Sequence, residues 1–475
     1  MNFMKNSFLA IAVALLAAQA CKNNSGEDIP TPTPILPIQV WTTTGSAVNL
    51  LYAKTIDFAA GKDDRFPVIS IDSTQTFQSI DGFGYTLTGG SAMLLHAMGQ
   101  AERAALLEEF FGKKEKSIGV SYLRISMGAS DLDGEVFSYD DLQTGQTDPD
   151  LAHFSLSRDT LHLIPILKEI IAINPNLKIM AAPWSAPVWM KSNGNSIGGN
   201  LIPSFYGAYA NYFVKYVKAM QANGIQLDAV TPQNEPQHGG NNPSLVMSSA
   251  QQADFVKNHL GPAFQSAGIS TKIVVWDHNC DKPDYPIAIL SDAAARPFVA
   301  GSAFHLYAGD ISALSQVHAA FPDKALYFTE QWTGSTGEFA GDLVWHTKNV
   351  VIGSMRNWAR TALEWNLGND TNYGPHTPGG CTQCRGAVTI DGSKATKNVS
   401  FYIIGQASKA ILPGSVRLES SLPTQLANVA FRRPDGKIAL LVLNESADLQ
   451  SFNINIGGKW IVSSLQAGSV GTFVW

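Results

Sequence analysis

A chain of 475 residues with 45% hydrophobic and only 15% charged residues has the apolar content of a folded protein with a large core, which excludes a disordered chain. The formal net charge of −6 argues against a nucleic-acid partner, which would favour a basic face to neutralise phosphates. Aromatic residues reach 10%, including 10 Trp, and such rings stack on sugars as readily as they fill cores.

The N-terminus follows the secretory pattern: Lys5, the apolar run FLAIAVALLAA over 8–18, then AQAC. The run is too short to span a bilayer. AQA satisfies a signal-peptidase rule, and Cys21 directly after it also fits a loose lipobox, so lipidation and plain secretion both cut before Cys21. A lone Cys at the mature N-terminus favours lipidation. The expectation is a signal peptide over 1–20 and an exported cell-surface or outer-membrane lipoprotein of a Gram-negative bacterium, with a periplasmic or secreted protein as the alternative. Residues 21–45, polar and Pro-rich (KNNSGEDIPTPTPILPI), are expected to be a spacer. Residues 46–75, with VISIDSTQTFQ from Val68, are expected to add strands to a side domain. No other segment is long and apolar enough to cross a membrane.

Eight strand-like runs then alternate with amphipathic stretches: SIDGFGYTL, SYLRISMG, LKIMAAPW, LDAVTPQNE, KIVVWDHN, GSAFHLYA, ALYFTEQW and TALEWNLG. The intervening segments, such as DTLHLIPILKEIIAIN and FYGAYANYFVKYVKAMQANG, repeat apolar residues at i, i+3 and i+4. This alternation predicts an α/β chain, a (β/α)8 TIM barrel over 76–400. From about residue 400 the pattern changes to short alternating strands joined by turns such as PDG and GG, with no helix, which predicts an all-β sandwich over 401–475.

Active sites of such barrels lie at the carboxyl ends of the strands. Those ends supply Asp81, Arg124 followed by Asp131, Trp184, Asn234 and Glu235, Asp277 and His278, His305 and Tyr307, Glu330, and Trp365 with Asn366. Glu235 closes the fourth strand and Glu330 the seventh, so barrel closure carries them across one mouth. A carboxylic acid and a carboxylate about 5 Å apart are what glycoside hydrolysis with retention requires. Asn234 can then donate to a sugar 2-hydroxyl, and His305 and Tyr307 are expected to hold Glu330 ionised. Glu235, as the acid, is expected to have a raised pKa while Glu330 stays charged. Asp277-His278 hints at a metal, but no third ligand stands at useful spacing, so no metal and no cofactor is expected. In an exported chain Cys381 and Cys384 (CTQC) favour a small disulfide over a metal site or a redox pair, leaving Cys280 as a free thiol.

TPQNEP and YFTEQW, with DGFGYTLTG, LRISMGASD, APWSAPVWMKSNG, FHLYAGD, EWNLGND and FYIIGQASKAILPGSVRL, closely resemble glycoside hydrolase family 30, which includes lysosomal glucosylceramidase, microbial β-1,6-glucanases and xylanases. The resemblance runs from about residue 68 to the C-terminus. It implies a retaining β-glycosidase with a barrel and a β-sandwich, needing no metal. By position it puts the acid/base on Glu235 and the nucleophile on Glu330. Substrate binding falls on Asp131, Trp184, Asn234, His305, Tyr307 and Trp365, with Arg124, His305 and Tyr307 supporting the nucleophile. Asp131 beside Trp184 implies glucose rather than xylose. GGCTQCRGAVTID resembles the bacterial and fungal β-1,6-glucanase branch, so the expected activity is an endo-β-1,6-glucanase acting as a monomer on β-glucan. A β-glucosidase, glucosylceramidase or xylanase of the same family is the alternative, as is a glycan-binding protein without catalysis. Gln406 departs from the family's usual His, and Tyr85 interrupts its usual GFGGA run; the first is expected to affect packing, the second the pocket.

Overall fold

The computed structural model describes residues 37–475. The signal peptide, Cys21 and most of the spacer lie outside the described residues. No helix among the described residues is long and apolar enough to cross a membrane.

Eight parallel strands close into a barrel in chain order: Gly82–Leu87, Tyr122–Ser126, Lys178–Ala182, Ala229–Val230, Lys272–Cys280, Val299–Gly309, Ala325–Glu330 and Ala359–Glu364. These coincide with the eight runs read from the sequence. Alternate side chains on a strand face opposite sides, so each strand feeds two cores. Tyr122, Met180, Ala229, Val274, Ala303, Tyr327 and Leu363 form one compact layer, a single residue from each of strands two to eight. The first strand contributes glycine instead: a Cβ on Gly84 would come within 1.9 Å of the Tyr122 carbonyl oxygen, so only glycine allows that approach. The other set, including Leu123, Ile125, Ile179, Val230 and Phe304, packs outward on the helices.

The barrel's lower rim is tied by ion pairs. Asp81 binds Lys178 and Arg360, and Lys272 binds Asp228, which accepts from the Tyr122 hydroxyl at 3.0 Å. Asp81 therefore departs from its expected role. It precedes the first strand rather than closing it, and lies at the end opposite the mouth, where polar residues serve stability.

Nine strands drawn from both ends of the chain make a second sheet, in the order 52–56, 38–43, 470–474, 438–444, 426–432, 416–420, 68–79, 450–456, 459–465. The strand Ile38–Thr43 falls inside the stretch expected to be spacer: it pairs Gln39 with Val474 and Thr43 with Val470. All seven residues of Ile438–Asn444 are buried. Leu440 and Val442 enter the sheet's own core, while Ala439, Leu441 and Leu443 pack on the barrel side. A strand buried on both faces reads as a continuous apolar run, which IALLVL over 438–443 is.

The border expected at 400/401 cuts a helix, Val399–Ser408, that packs against the barrel. Nine of its ten residues are buried, so it lacks the polar stripe that marks a surface helix, and the pattern concealed it. Tyr85 reaches this helix, its hydroxyl donating to the Ser400 carbonyl at 3.0 Å. It thus points away from the pocket it was expected to border. Gln406 ties the helix to the sheet, its amide bridging the hydroxyls of Thr43 and Thr472, a packing role as expected.

Candidate active site

The fourth strand holds its ladder for only Ala229–Val230, and Pro232 and Pro236 donate no N–H to extend it. Beyond it the chain turns sharply, and Glu235 takes a left-handed conformation at φ 46°. A non-glycine residue there costs on the order of 1–3 kcal/mol and must be held by its surroundings. The hold is visible: the Asn234 N–H donates to the Pro183 carbonyl and the Glu235 N–H to the Asp277 carbonyl, while the Glu235 carbonyl accepts from the His238 N–H.

The fifth strand bulges where it meets the sixth, with Trp276 at φ 75° and Asp277 at φ 62°. In a regular strand neighbours face opposite sides, but a bulge re-aims a side chain. Here Asp277 and His278 both end near the mouth, Asp277 fully buried beneath the floor and His278 on the wall of the cavity. A register shift between Phe328 and Glu330 on the seventh strand sets Glu330 opposite His305.

Glu235 and Glu330 meet across the mouth. One oxygen of each carboxylate and a ring nitrogen of His305 lie within 4.8 Å of one another. Arg124, completely buried, connects the group: Nη1 donates to Glu330 Oε2 at 2.5 Å, and Nη2 to Asn234 Oδ1 at 2.6 Å and to Asp277 Oδ2 at 2.8 Å. Its guanidinium also lies over the Trp184 ring, 4.8 Å from the centroid. The Tyr307 hydroxyl donates to Glu330 Oε1 at 3.1 Å.

His305 differs from its expected role. It is fully buried, so it does not line the cavity, and it sits nearer Glu235 (Nδ1 to Oε1, 3.2 Å) than Glu330 (3.8 Å). Its Nε2 meets Asp277 Oδ1 at 3.1 Å, and Thr231 and Thr329 each donate a hydroxyl to Asp277 at 2.8 Å. Burial opposes charge on Asp277, but the Arg124 charge and the His305 contact hold its carboxyl well below the usual carboxylate range. Burial likewise opposes charge on His305, yet the Glu330 charge and its bonds to Asp277 and Glu235 push it up to about 9.

The two carboxyls depart from the expected order. Burial pushes Glu330 up, only partly offset by the His305 and Arg124 charges. Glu235 is lowered, because against its burial stand the hydrogen bond and charge of His305 and the charges of His278 and His238. These opposite shifts favour a proton on His305 over one on Glu235.

The cavity at this mouth encloses about 260 Å³ and is lined by Glu235, Glu330, Asp131, Trp184, Trp365 and Tyr307, among others. Trp184 and Trp365 stack at 5.4 Å. Asp131 is buried, and its Oδ2 accepts from the Cys381 N–H at 3.3 Å. Burial, then the charges of Glu330 and Glu235, push its carboxyl up to about 7. Asn234, expected to bind substrate, is buried and does not line the cavity; its Oδ1 accepts from Arg124, which leaves its amide nitrogen as the donor. Cys381 and Cys384 form a disulfide, and Cys384 lines the cavity. Cys280 is a buried free thiol.

Glu235, Glu330 and His305 are close enough to hold a cation. However, both ring nitrogens of His305 are engaged and Arg124 already contacts Glu330, while Asp277 is saturated by four donors. The residues that the sequence reading missed are His238, Asn241, Asn279 and Trp332, all on the cavity wall. Trp332 lies two residues beyond Glu330, His238 three beyond Glu235 and Asn279 directly after His278, a usable signal; Asn241 has none. A larger cleft, about 1130 Å³, lies between Trp41 and Lys409, but it contains a single carboxylate, Glu115, and no pair.

The chain matches two family models, the glycosyl hydrolase family 30 TIM-barrel domain over residues 80–411 and the glycosyl hydrolase family 30 beta sandwich domain over 414–473. Among curated proteins it is similar to the endo-1,6-beta-D-glucanase BGN16.3 of Trichoderma harzianum, 34% identical over 402 residues, with 79% of this chain and 80% of that protein covered. It also resembles the lysosomal acid glucosylceramidase of Mus musculus, 28% identical over 435 residues and covering 86% and 83%. Among solved structures it superposes on the endo-beta1,6-glucanase BT3312 with a TM-score of 0.87 at 35% identity, covering 92% of this chain and 99% of that one.

Proposed function

The chain belongs to glycoside hydrolase family 30, and from that premise we propose that it is a retaining endo-β-1,6-glucanase in which Glu235 is the acid/base and Glu330 the nucleophile. The observation that carries the mechanism is that one oxygen of each carboxylate lies within 4.8 Å of the other, a close approach that favours retention, with its spacing of about 5 Å, over inversion.

Glu330 attacks the anomeric carbon while a proton passes to the leaving glucosyl oxygen. Arg124 and Tyr307 donate to the two oxygens of Glu330, fixing the attacking carboxylate and favouring its ionised form. His305 supplies the proton of the resting site. Anionic Asp277 retains the N–H on Nε2, so Nδ1 is the position that exchanges a proton with Glu235 Oε1 at 3.2 Å. Sugar binding excludes water from the pair, which favours the neutral form, imidazole beside carboxylic acid. Once Glu330 is esterified its charge is gone, and with it the leading support for the His305 cation. Glu235, now ionised, takes a proton from water and the second displacement releases product.

A cavity of about 260 Å³ suits one sugar ring held against Trp184 and Trp365, with Asp131 accepting from outer hydroxyls. The preference for β-1,6 linkage rests on the relatives named above. Digests of β-1,3-, β-1,4- and β-1,6-glucans and glucuronoxylan, with products sized, test it. Oligosaccharides as first products from β-1,6-glucan alone are expected; glucose as sole first product overturns the endo reading. Glu330→Gln is expected to lower kcat by about 10⁴-fold, and near-normal turnover overturns the mechanism.

Export and lipidation at Cys21 belong to the same proposal, supported by the run over 8–18 and by AQAC. Membrane association lost in Cys21→Ser cells is the expected result.

A further inference from the structure

The segment between the second barrel strand and the helix Leu163–Ile173 contains a carboxylate with nothing to satisfy it. Asp140 is 1% exposed, and neither of its side-chain oxygens has a hydrogen-bond partner. Taking an ionised carboxylate out of water without a partner is among the costliest acts in a fold. Its neighbour makes the cost greater: Asp148, 7% exposed, points into the same space, and one oxygen from each, with a ring nitrogen of His153, lie within 4.8 Å of one another. Among the described residues no lysine or arginine pairs with Asp140 or Asp148. Asp148 Oδ2 meets only His153, through the backbone N–H at 2.8 Å and Nδ1 at 2.9 Å.

We propose that Asp140, Asp148 and His153 bind one divalent cation of the Zn2+ or Mn2+ class, separate from the catalytic carboxylates. An imidazole with two carboxylates is a nitrogen-and-oxygen set that suits these metals, whereas Ca2+ and Mg2+ prefer oxygen alone. The His153 side chain is 71% exposed, so the site opens to solvent for entry and for water ligands. The cation neutralises the Asp140 and Asp148 charges and adds a cross-link to the bonds that already hold this segment. Those bonds include Trp189 Nε1 donating to the Asp140 carbonyl at 3.0 Å and Lys215 Nζ donating to the Leu151 carbonyl at 2.6 Å. The same segment also carries Asp131, which lines the active-site cavity.

The test uses the full chain stripped with EDTA and titrated with ZnCl2, MnCl2 or CaCl2, followed by calorimetry and by thermal unfolding. Binding of one Zn2+ or Mn2+ per chain with a saturable rise in Tm is expected. Asp140→Asn and His153→Gln should each weaken binding by at least about tenfold and abolish the rise. In EDTA, Asp140→Asn should melt at or above the wild type, because the unpaired charge is removed. The inference is overturned if neither Zn2+ nor Mn2+ raises Tm, if Ca2+ alone does so, or if the variants bind as the wild type. Exposed His153 carries the test should Asp140→Asn fail to fold.

Discussion

Asp277 never touches the cavity, yet Arg124, His305, Thr231 and Thr329 all converge on its two oxygens. It positions both the cation that grips Glu330 and the imidazole that faces Glu235. Asp277→Asn keeps the volume and removes the charge. An amide can donate to Nε2, moving the imidazole proton to Nδ1 and cutting the exchange with Glu235, the kind of tautomer error that costs about 10³–10⁴-fold in a serine-protease triad. We expect kcat to fall by about 10³-fold with KM little changed. The pH profile separates positioning from mere support. His305 is held up to about 9 partly by Asp277, so its loss should move the basic limb of kcat/KM toward lower pH. A profile that only scales down, with its limbs in place, would leave Asp277 a structural role. The sequence exposed Asp277 as a polar strand end but not its positioning role, because adjacency to His278 hides which of the two faces which neighbour. Glu235 and Glu330 were legible since each follows an apolar strand; the lowered state of Glu235 was not, since it depends on His305 being 3.2 Å away.

At the level of elements, all eight barrel strands were legible because each is an apolar run between amphipathic segments. The bulge at Trp276-Asp277 was not. KIVVWDHN contains no glycine to announce a positive φ, and the tertiary contacts of Asp277 enforce it. The loop after the eighth strand was half legible, its CTQC suggesting a disulfide but nothing of where the loop lands. It lands on the site: Cys384-Arg385 pairs with Thr333-Gly334 beyond Glu330, and the Cys381 N–H meets Asp131. A disulfide closing so short a loop removes little chain entropy, about 2 kcal/mol at most. Its larger effect should be on the wall of the cavity, where Cys384 packs with Trp184 and Trp365. Replacing Cys381 and Cys384 by Ser is therefore expected to lower Tm by only a few degrees while raising KM on β-1,6-glucan several-fold more than it lowers kcat. Unchanged KM beside a large fall in Tm would reverse that ranking.

For the whole molecule, the second sheet joins residues 38–79 to 416–474, and pairings such as Gln39 with Val474 leave no trace in local pattern. The strand from Val68 alternates and was legible; Ile38–Thr43 was lost behind the prolines that precede it. The same non-local burial sets how stability responds to pH. Burial pushes Asp131 and Asp159 up to about 7 and Asp133 up to about 6. An unfolded Asp releases its proton near pH 3.9, so between about pH 4 and 7 the folded chain holds protons that the unfolded chain has lost. Each such group makes stability fall as pH rises, by about 1.4 kcal/mol per unit while the difference lasts. Asp140, pushed up to about 6, acts the same way when no cation is bound. His278 opposes them: burial lowers it to about 4, so its contribution is complete above the unfolded value near 6.5 and is lost as pH falls through 4. Three aspartates outweigh one histidine, and the urea midpoint is expected to be higher at pH 5 than at pH 7. Asp159 accepts from the Tyr139 hydroxyl at 2.6 Å, away from the cavity, and Asn can accept the same bond. Asp159→Asn should thus flatten the slope by about one proton without altering the products of digestion. A wild-type midpoint that climbs from pH 5 to 7 would mean that these carboxyls ionise freely in the fold, and that burial is not what governs them.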